Sequence, residues 1–495
     1  MTQQGRKHLG RQSMSDSNHL TSPNSRVDAT EAESVMDPPL RMVTIGLLLS
    51  VGIVAFDGLG VTTALPRIAS ELGGLNTYGW AVSALMLASV VGTVIGGYMA
   101  DRRGPRAPYI VGLMVFTMGL MMSATVTTWT LFLLGRVLQG LGVGAIMSMA
   151  YYFVAVVYPQ ALHARALALL SAAWTVPALV GPMASSTLAE LSSWRLLFII
   201  LAPLALVAGS ATLRGMPPLG AAKSQSDNNV VRQLVFSTGL AIGAAVLLTG
   251  LEQDSPTVVA AMVCLGAVVM ILTLRQVTPK GTLTVRRGVP VGIVTRATLS
   301  VSFFGIETFL PLAMTELRGA SLIVAGLTLA AGALVWVAGS MAQSRHEMRK
   351  GPATRRGDIV VGLVTLAVGI IIIAVTLLNH SIPIHIAIIG WVIGGFGMGL
   401  AYNASTSETF SETQPEAIGE MSGTIQMAQT LGTAVIAGTG TALISATHAS
   451  SGGLATAMTA IFVVTASFAL AAIPAALRIR RHSPGKTTRD SDKVR

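Results

Sequence analysis

The stretch G-Y-M-A-D-R-R-G-P-R, residues 97–106, is a short charged turn between two long apolar runs. The run before it, 78–100, and the run after it, 107–135, contain no charged residue. About twenty apolar residues are enough for a helix to cross a bilayer. The stretch therefore predicts two membrane-spanning helices joined by a very short basic turn.

The residue types of this turn have separate roles. Gly97 allows a neighbouring helix to approach closely, and Gly104 permits a backbone bend that a β-carbon would disfavour. Asp101 is a carboxylate at the membrane face that can pair with Arg102 or Arg106, or lie at the positive N-terminal end of another helix. The simpler alternative is that the basic residues only anchor the turn on the positive side of the membrane.

The composition of the whole chain indicates a polytopic membrane protein. Hydrophobic residues make up 52% of the 495 positions and charged residues only 11%, whereas soluble domains contain about 25% charged residues. The net charge of +11 collects on one side of the predicted spans, which predicts contact with membrane lipid and no nucleic-acid partner. A single cysteine, Cys264, excludes an intrachain disulfide and a cysteine-based metal cluster. No metal or organic cofactor is expected.

Fourteen apolar segments are long enough to span a membrane, and they predict an all-α polytopic fold. With both tails on one side, most of the 33 basic residues fall on that side, and only Arg67, Arg195 and Arg318 fall on the other. The positive-inside rule then predicts cytoplasmic termini. The excess of Arg over Lys favours a bacterial plasma membrane. The predicted spans are 42–63, 79–100, 107–127, 130–153, 166–188, 196–213, 234–250, 257–274, 291–313, 321–342, 359–378, 384–404, 421–445 and 453–477.

An internal repeat divides these spans into two sets. Leu-Pro at 65–66, followed by Glu-Leu at 71–72, recurs at 310–311 and 316–317. This offset maps spans 1–6 onto spans 9–14 and leaves spans 7–8 as an insertion, an organisation typical of transporters. The predicted divisions are a disordered cytoplasmic tail (1–41), a six-helix half (42–213), a linker with two extra helices (214–290), a second six-helix half (291–477) and a basic cytoplasmic tail (478–495).

Three ionisable residues are predicted inside spans: Asp57, Arg136 and Glu307. A charge at the bilayer centre costs about 2.5–3.5 kcal/mol, so none is expected to face lipid. At about 1.5 Å per residue, each lies roughly 9 Å below the outer end of its span. Asp57 and Arg136 are expected to form either a static ion pair or a proton-exchanging pair in a water-filled cavity. Glu307 is either a second proton or cation carboxylate or a hydrogen-bonded interior glutamate.

The turn at 97–106 resembles the loop between helices 2 and 3 of the major facilitator superfamily, G-x3-D-R/K-x-G-R/K-R/K. Pro105 stands where that family usually has a basic residue. The resemblance implies a gating loop in a fold of two six-helix halves, here with two extra helices. The matching residues are Gly97, Asp101, Arg102, Gly104 and Arg106.

Three further segments are similar to the fourteen-helix drug:proton antiporters of that superfamily. Residues 56–66, F-D-G-L-G-V-T-T-A-L-P, resemble the first-helix pattern, with Asp57 eight positions before Leu-Pro. Residues 135–142, G-R-V-L-Q-G-L-G, resemble the fourth-helix motif R-x2-Q-G, in which Arg136 and Gln139 match. Residues Gly181 and Pro182 match the core of the antiporter bend in the fifth helix. There Pro177 replaces a glycine, and Ser185-Ser186 replace the final Gly-Gly.

The resemblance implies a monomeric exporter of small amphipathic compounds that uses the proton gradient as its energy source. Arg136, as the family's arginine, is then implicated in proton coupling, with Asp57 taking up a proton when Arg136 moves away and releasing it when Arg136 returns. Trp80, Trp174, Trp336 and Trp391 are candidate walls for flat cationic compounds, with Trp174 foremost, or else packing residues. A nutrient symporter or uniporter stays as an alternative, and so does a polytopic membrane enzyme.

Overall fold

A computed structural model describes residues 34–159, 162–216, 227–253, 255–413, 418–447 and 453–479, and these ranges contain helices and no strand. Most of the two predicted tails lies outside the described residues. The α-helices are α1 Pro38–Leu72, α2 Trp80–Arg103, α3 Arg106–Thr125, α4 Trp129–Val157, α5 His163–Ala172, α6 Thr175–Leu191, α7 Arg195–Gly215, α8 Asp227–Leu251, α9 Pro256–Val277, α10 Val289–Leu312, α11 Leu322–Lys350, α12 Arg355–Leu378, α13 His385–Ser411, α14 Ile418–Thr447 and α15 Gly453–Ala476.

All fourteen predicted spans are helical, and thirteen of the described helices are long and apolar enough to cross a membrane. The fifth span, predicted as one helix over 166–188, is instead broken between α5 and α6. Pro177 lies in the first turn of α6, where its missing N–H is tolerated. In an unbroken helix its ring would clash with the carbonyl of residue 173, so the chain turns there.

The first helix is longer than its predicted span of 42–63. Two prolines, at 38 and 39, open α1, where their fixed φ suits the first turn. Gly73 ends the helix in the left-handed region, with φ 73°, and its N–H donates to the carbonyl of Ala69. The helix therefore continues for nine residues beyond the predicted end.

The helices form two six-span halves, α1–α7 and α10–α15, with α8 and α9 as an extra hairpin between them in sequence. The hairpin packs its α8 against α2 of the first half and α14 of the second. The two halves share a turn geometry that the sequence reasoning did not identify. Gly104 ends α2 with φ 75° and ψ 168°, and Gly351 ends α11 with φ 81° and ψ 176°. Each follows two basic residues and precedes a proline.

The two halves meet near the membrane face opposite the one at which α1 begins and α15 ends. We call these the far face and the terminal face. At the far face Ser83 donates from its Oγ to the carbonyl of Ala434 at 2.8 Å, joining α2 to α14. The backbone N–H of Ile323 donates to Glu190 Oε2 at 3.0 Å, joining α11 to α6. The halves are therefore closed together at the far face.

The same helices separate towards the terminal face. Since α2 and α14 are antiparallel and Ser83 meets Ala434, the same register would bring Gly97 close to the segment that contains Gly423. However, a β-carbon built on Gly97 or on Gly423 would meet no atom of the described residues within 4 Å. A β-carbon on Gly79, at the far end of the same pair, would instead collide with the backbone of Ala437. The space between α2 and α14 thus opens at the terminal face.

Candidate functional site: a buried acid–base pair

Asp57 of α1 and Arg136 of α4 form an ion pair in the first half of the protein. The Arg136 Nη1 donates to Asp57 Oδ2 at 3.1 Å and to Oδ1 at 3.3 Å. The two residues therefore lie at one depth, as the sequence predicts. The predicted depth of roughly 9 Å is wrong for Asp57, because α1 continues fifteen residues past it to Leu72, roughly 22 Å of helix.

The Arg136 guanidinium has further acceptors that hold it in place. Its Nε donates to the carbonyl of Ala81 at 3.1 Å, and its Nη1 also donates to the side-chain oxygen of Gln139. The Gln139 amide in turn donates to Ser123 Oγ at 2.9 Å and to the carbonyl of Gly119 at 3.1 Å. The pattern R-x2-Q places Arg136 and Gln139 on one helical face, since residues three apart are neighbours. The network consequently links α1, α2, α3 and α4.

The ion pair is closed to water in this conformation. The side chains of Arg136 and Asp57 are 3% and 1% exposed. Helices α1, α2, α3 and α4 enclose the two side chains in the conformation described here, and the proton-exchanging alternative, which needs access to water, stays a prediction. Next to the pair, a β-carbon on Gly58 would meet no atom within 4 Å. Free space thus lies one residue away from a sealed carboxylate.

Glu307 of α10 is buried, with 9% exposure. Within the described part of the chain it makes no hydrogen bond and no ion pair, so the alternative of a hydrogen-bonded interior glutamate is wrong there. A buried carboxylate without a partner is costly when charged. Its role as a proton or cation carboxylate stays a prediction.

The predicted tryptophans do not form one wall. Trp336 and Trp391 belong to a single aromatic cluster, with ring centroids 5.0 Å and 4.6 Å from that of Phe303. Trp80 lies at the far face, where its Nε1 donates to Glu252 Oε1 at 2.6 Å. Trp174 lies at the break between α5 and α6 and is 39% exposed. Trp336 and Trp391 are consequently placed apart from Trp80 and Trp174.

The predicted gating loop is exposed at the terminal face. The Arg102 guanidinium lies 4.9 Å from the ring centroid of Tyr98, one helical turn earlier, and Arg106 begins α3 with an exposed side chain. The side chain of Asp101 lies outside the described part of the structure, so its predicted pairing is untested. Gly104 supplies the bend, with positive φ, that the sequence predicts.

The segment with Gly181 and Pro182 lies inside α6, and the interruption of this span occurs earlier, at residues 173–174. The carbonyl of Pro182 would be 2.6 Å from a β-carbon on Gly326 of α11. On the other side of α6, Gly60 of α1 packs against Ser185. The segment thus lies between the first helix and the opposite half.

Arg296 of α10 is a buried cation that the sequence reasoning grouped with the basic residues of the terminal face. The structure buries it to 2% exposure. Its position inside the predicted span 291–313 was the signal that would have found it.

A second missed group joins α11, α12 and α13 near the terminal face, where Arg355 pairs with Glu347 at 2.5 Å and with Glu408 at 3.5 Å.

Two six-span halves, an extra two-helix hairpin and a buried ion pair between two helices of one half are the features of a membrane transporter. The family model described as Major Facilitator Superfamily matches residues 47–437, and the chain belongs to this superfamily. The membrane-enzyme alternative has no support from this family.

Similar proteins and structures agree with this assignment. The chain is 27% identical over 359 residues to the probable multidrug-efflux transporter Rv1634 of Mycobacterium tuberculosis, covering 68% of this chain and 75% of that protein. It is 22% identical over 401 residues to the multidrug efflux pump SdrM of Staphylococcus aureus, covering 80% and 87%. A crystal structure of an auto-inhibited POT family peptide transporter matches with a TM-score of 0.67 and 16% identity, covering 90% of this chain and 99% of that one. The xylose transporter XylE of E. coli matches with a TM-score of 0.60 and 15% identity, covering 90% and 99%. At these identities the two structures show the shared fold.

Proposed function

We propose that the protein is a proton-coupled exporter of small amphipathic compounds in a bacterial plasma membrane, with its terminal face in the cytoplasm. The observation that carries the proposal is the buried Asp57–Arg136 pair, which joins α1 to α4 at 3.1 Å. The names of relatives such as Rv1634 and SdrM support export of drug-like compounds. The protein acts as a monomer in this proposal, since each copy contains both halves.

The chemistry of the pair is proton binding without bond making. While Arg136 contacts Asp57, the positive guanidinium stabilises the carboxylate. When a movement of α1 against α4 separates them in apolar surroundings, the carboxylate loses that partner and binding a proton is favoured. The two arrangements therefore differ by one proton on Asp57.

Alternating access couples this proton to the substrate. The conformation described here is closed at the far face and open between α2 and α14 at the terminal face, so the substrate enters from the cytoplasm. The opposite conformation releases the substrate outside and exposes Asp57 to the outer proton reservoir. Return of Arg136 to Asp57 then releases the proton to the cytoplasmic side. Each cycle exchanges substrate for protons.

Uptake into everted membrane vesicles tests the proposal. In vesicles whose respiration acidifies the interior, the wild type should accumulate fluorescent amphipathic probes, tested as a panel of cations, anions and neutral compounds. Collapse of the proton gradient should release them. Asp57→Asn should lose this uphill accumulation because the side chain cannot exchange a proton. Accumulation by Asp57→Asn equal to that of the wild type would show that Asp57 is not the coupling residue.

Two controls make the result interpretable. Exchange of labelled for unlabelled probe across unenergised vesicles needs no proton coupling, so Asp57→Asn should retain it if the variant is folded. Glu71→Gln breaks a second carboxylate–arginine pair, that with Arg195 at 2.5 Å, whose side chains are 41% and 28% exposed. Because exposed pairs contribute only about 0–1 kcal/mol, this variant should keep uphill transport. If acidification of the interior instead drives the probe out of the vesicles, the probe moves in the same direction as the protons. This result would favour the nutrient symporter.

A further inference from the structure

Arg296 is a buried guanidinium whose hydrogen bonds are incomplete. Its Nη2 donates to Thr406 Oγ1 and lies 3.5 Å from the carbonyl of Tyr402. The guanidinium carbon lies 3.4 Å from the ring centroid of Tyr402. Its Nε and Nη1 are both buried and have no hydrogen-bond partner among the described residues. Two donors of a permanently charged group are therefore unused.

The contrast with Arg136 shows what is missing. Both arginines are 2% exposed, but Arg136 has a carboxylate, an amide oxygen and a carbonyl as acceptors. Arg296 forms no ion pair among the described residues. A buried charge without a counter-charge is strongly unfavourable, since ions lose much solvation in a low-dielectric interior. Arg296 thus has no counter-charge among the described residues.

Polar groups from both halves surround this position. Tyr402 donates from its hydroxyl to Gln429 Oε1 at 2.9 Å. Tyr151 of α4, in the other half, is 39% exposed and lies near Arg296 and Tyr402. Arg296 itself lies seven residues after Val289, the terminal-face start of α10, or roughly 10 Å along the helix. The site therefore lies between the halves, on the side where they are open.

An aromatic surface continues from the guanidinium. The Tyr402 ring is 5.2 Å from that of Trp336 in an edge-on contact, and Trp336 is 6.1 Å from Phe304. All three side chains are partly exposed. Edge-on and offset aromatic contacts favour the binding of a flat ring system. A cation next to a row of aromatic rings fits a ligand that carries an anionic group attached to an aromatic ring system.

We propose that Arg296 binds the carboxylate or sulfonate of an aromatic organic anion, whose rings lie on Tyr402, Trp336 and Phe304, and that such anions are substrates of the transporter. This assignment rests on the proposed export function and names its substrate class. Because both unused nitrogens are inaccessible here, Tyr402 must move away from the guanidinium to admit the anion. An inorganic anion has the same chemistry as the carboxylate, and the test separates the two.

Binding to the purified full-length protein tests the site. The probes are benzoate, 2-naphthoate and 1-pyrenecarboxylate, each beside its neutral carboxamide, with chloride and sulfate as inorganic anions. Tryptophan fluorescence and thermal stability are the readouts. In the wild type the carboxylates should bind more tightly than their amides. Arg296→Gln should weaken carboxylate binding by about ten- to one-hundred-fold, the range for a hydrogen bond to a charged group, and leave amide binding unchanged.

Two further variants control for charge and folding. Arg296→Lys keeps the charge and should retain part of the carboxylate preference. Arg232→Gln removes one positive charge from an exposed residue whose side chain donates to Gln276 and lies over the Phe236 ring. This variant should bind the probes like the wild type. If no carboxylate in the panel is preferred over its amide, or if the preference survives in Arg296→Gln, the assignment is wrong. Arg296-dependent stabilisation by chloride or sulfate alone would also overturn it, since the anion would then not be a substrate.

The result is separable from that of the proposed function. Loss of uphill accumulation in Asp57→Asn together with no carboxylate preference rejects only the anion site. A carboxylate preference that depends on Arg296, together with proton-independent transport, rejects only the coupling. The two variants therefore report on two different residues in two different halves.

Discussion

The two ends of the helix pair α2 and α14 differ in how closely the helices pack. At the far end Ser83 donates to the Ala434 carbonyl at 2.8 Å, and Gly79 has no room for a β-carbon beside Ala437. At the terminal end Gly97 and Gly423 both face open space. The same two helices are thus locked at one end and apart at the other.

The two buried arginines, Arg136 near the far face and Arg296 near the terminal face, also differ in their hydrogen-bond partners. Arg136 lies seven residues from Trp129, the far-face start of α4, and its Nε and Nη1 both donate hydrogen bonds, Nη1 to the Asp57 carboxylate. Arg296 lies seven residues from the terminal-face start of α10, and two of its nitrogens have no partner. Among the described residues, the buried arginine near the far face therefore has a carboxylate partner, whereas the buried arginine near the terminal face has none.

Fixing the locked end should have the largest effect. With the exposed Cys264 replaced by Ala, a disulfide between Ser83→Cys and Ala434→Cys should stop transport completely, because the far face could no longer open. Reduction with dithiothreitol should restore it. The measurement is probe accumulation in everted vesicles before and after reduction. Full activity in the quantitatively cross-linked protein would show that transport does not require the far face to open.

Adding one methyl group at each end should change stability in opposite directions. Gly79→Ala places a β-carbon within 2.8 Å of the Ala437 carbonyl carbon, so the far-face contact must shift and the melting temperature should fall. Gly423→Ala meets open space in a helix interior, where alanine is favoured over glycine by about 0.5–1 kcal/mol. Its melting temperature should rise slightly. Thermal unfolding of the two purified variants in one detergent gives the measurement, and equal shifts would contradict the open terminal end.

The sequence predicted the parts of this molecule that depend on local composition. Span length and the scarcity of charge were enough to place fourteen spans. The cost of a charge that faces lipid favours pairing of opposite charges at one depth, which predicted the contact of Asp57 with Arg136. The break before Thr175 was missed, although Pro177 carried the signal, because the run of apolar residues is continuous across it. The closure of α2 on α14 was beyond sequence reasoning, since it depends on contacts about 350 residues apart that no local pattern specifies.

Arg296 shows a different limit. It lies near the terminal end of its span, where arginines usually reach the headgroups, so its position favoured a solvated side chain. Packing of α10 against α13 and α14 decides otherwise. Whether a terminal-end arginine extends to lipid or turns inward depends on its neighbours in space, and the sequence does not name them.

Replacing each buried arginine by methionine should change the melting temperature differently for Arg136, which has a carboxylate partner, and for Arg296, which has none among the described residues. Arg136→Met leaves Asp57 buried without its partner, which costs about 3–5 kcal/mol in comparable cases, so the melting temperature should fall. Arg296→Met removes a buried charge that has no ion-pair partner, so in a buffer free of organic anions the melting temperature should stay the same or rise. Arg296→Met should also lose any stabilisation by 2-naphthoate. A fall as large as that of Arg136→Met would show that Arg296 already has its counter-charge.

The smallest expected effect is at the far-face contact of the extra hairpin. Burial raises the pKa of Glu252, although the hydrogen bond from Trp80 partly opposes this shift. A carboxyl whose pKa is higher in the folded than in the unfolded state adds stability below its unfolded pKa and loses that contribution as pH rises through the folded value. Trp80 fluorescence should therefore change with pH in the range above the ordinary glutamate value of 4.5, and this change should be absent in Glu252→Gln. Trp80→Phe identifies the signal. If the Trp80 fluorescence of Glu252→Gln still changes with pH, the titrating group is not Glu252, and the prediction is wrong.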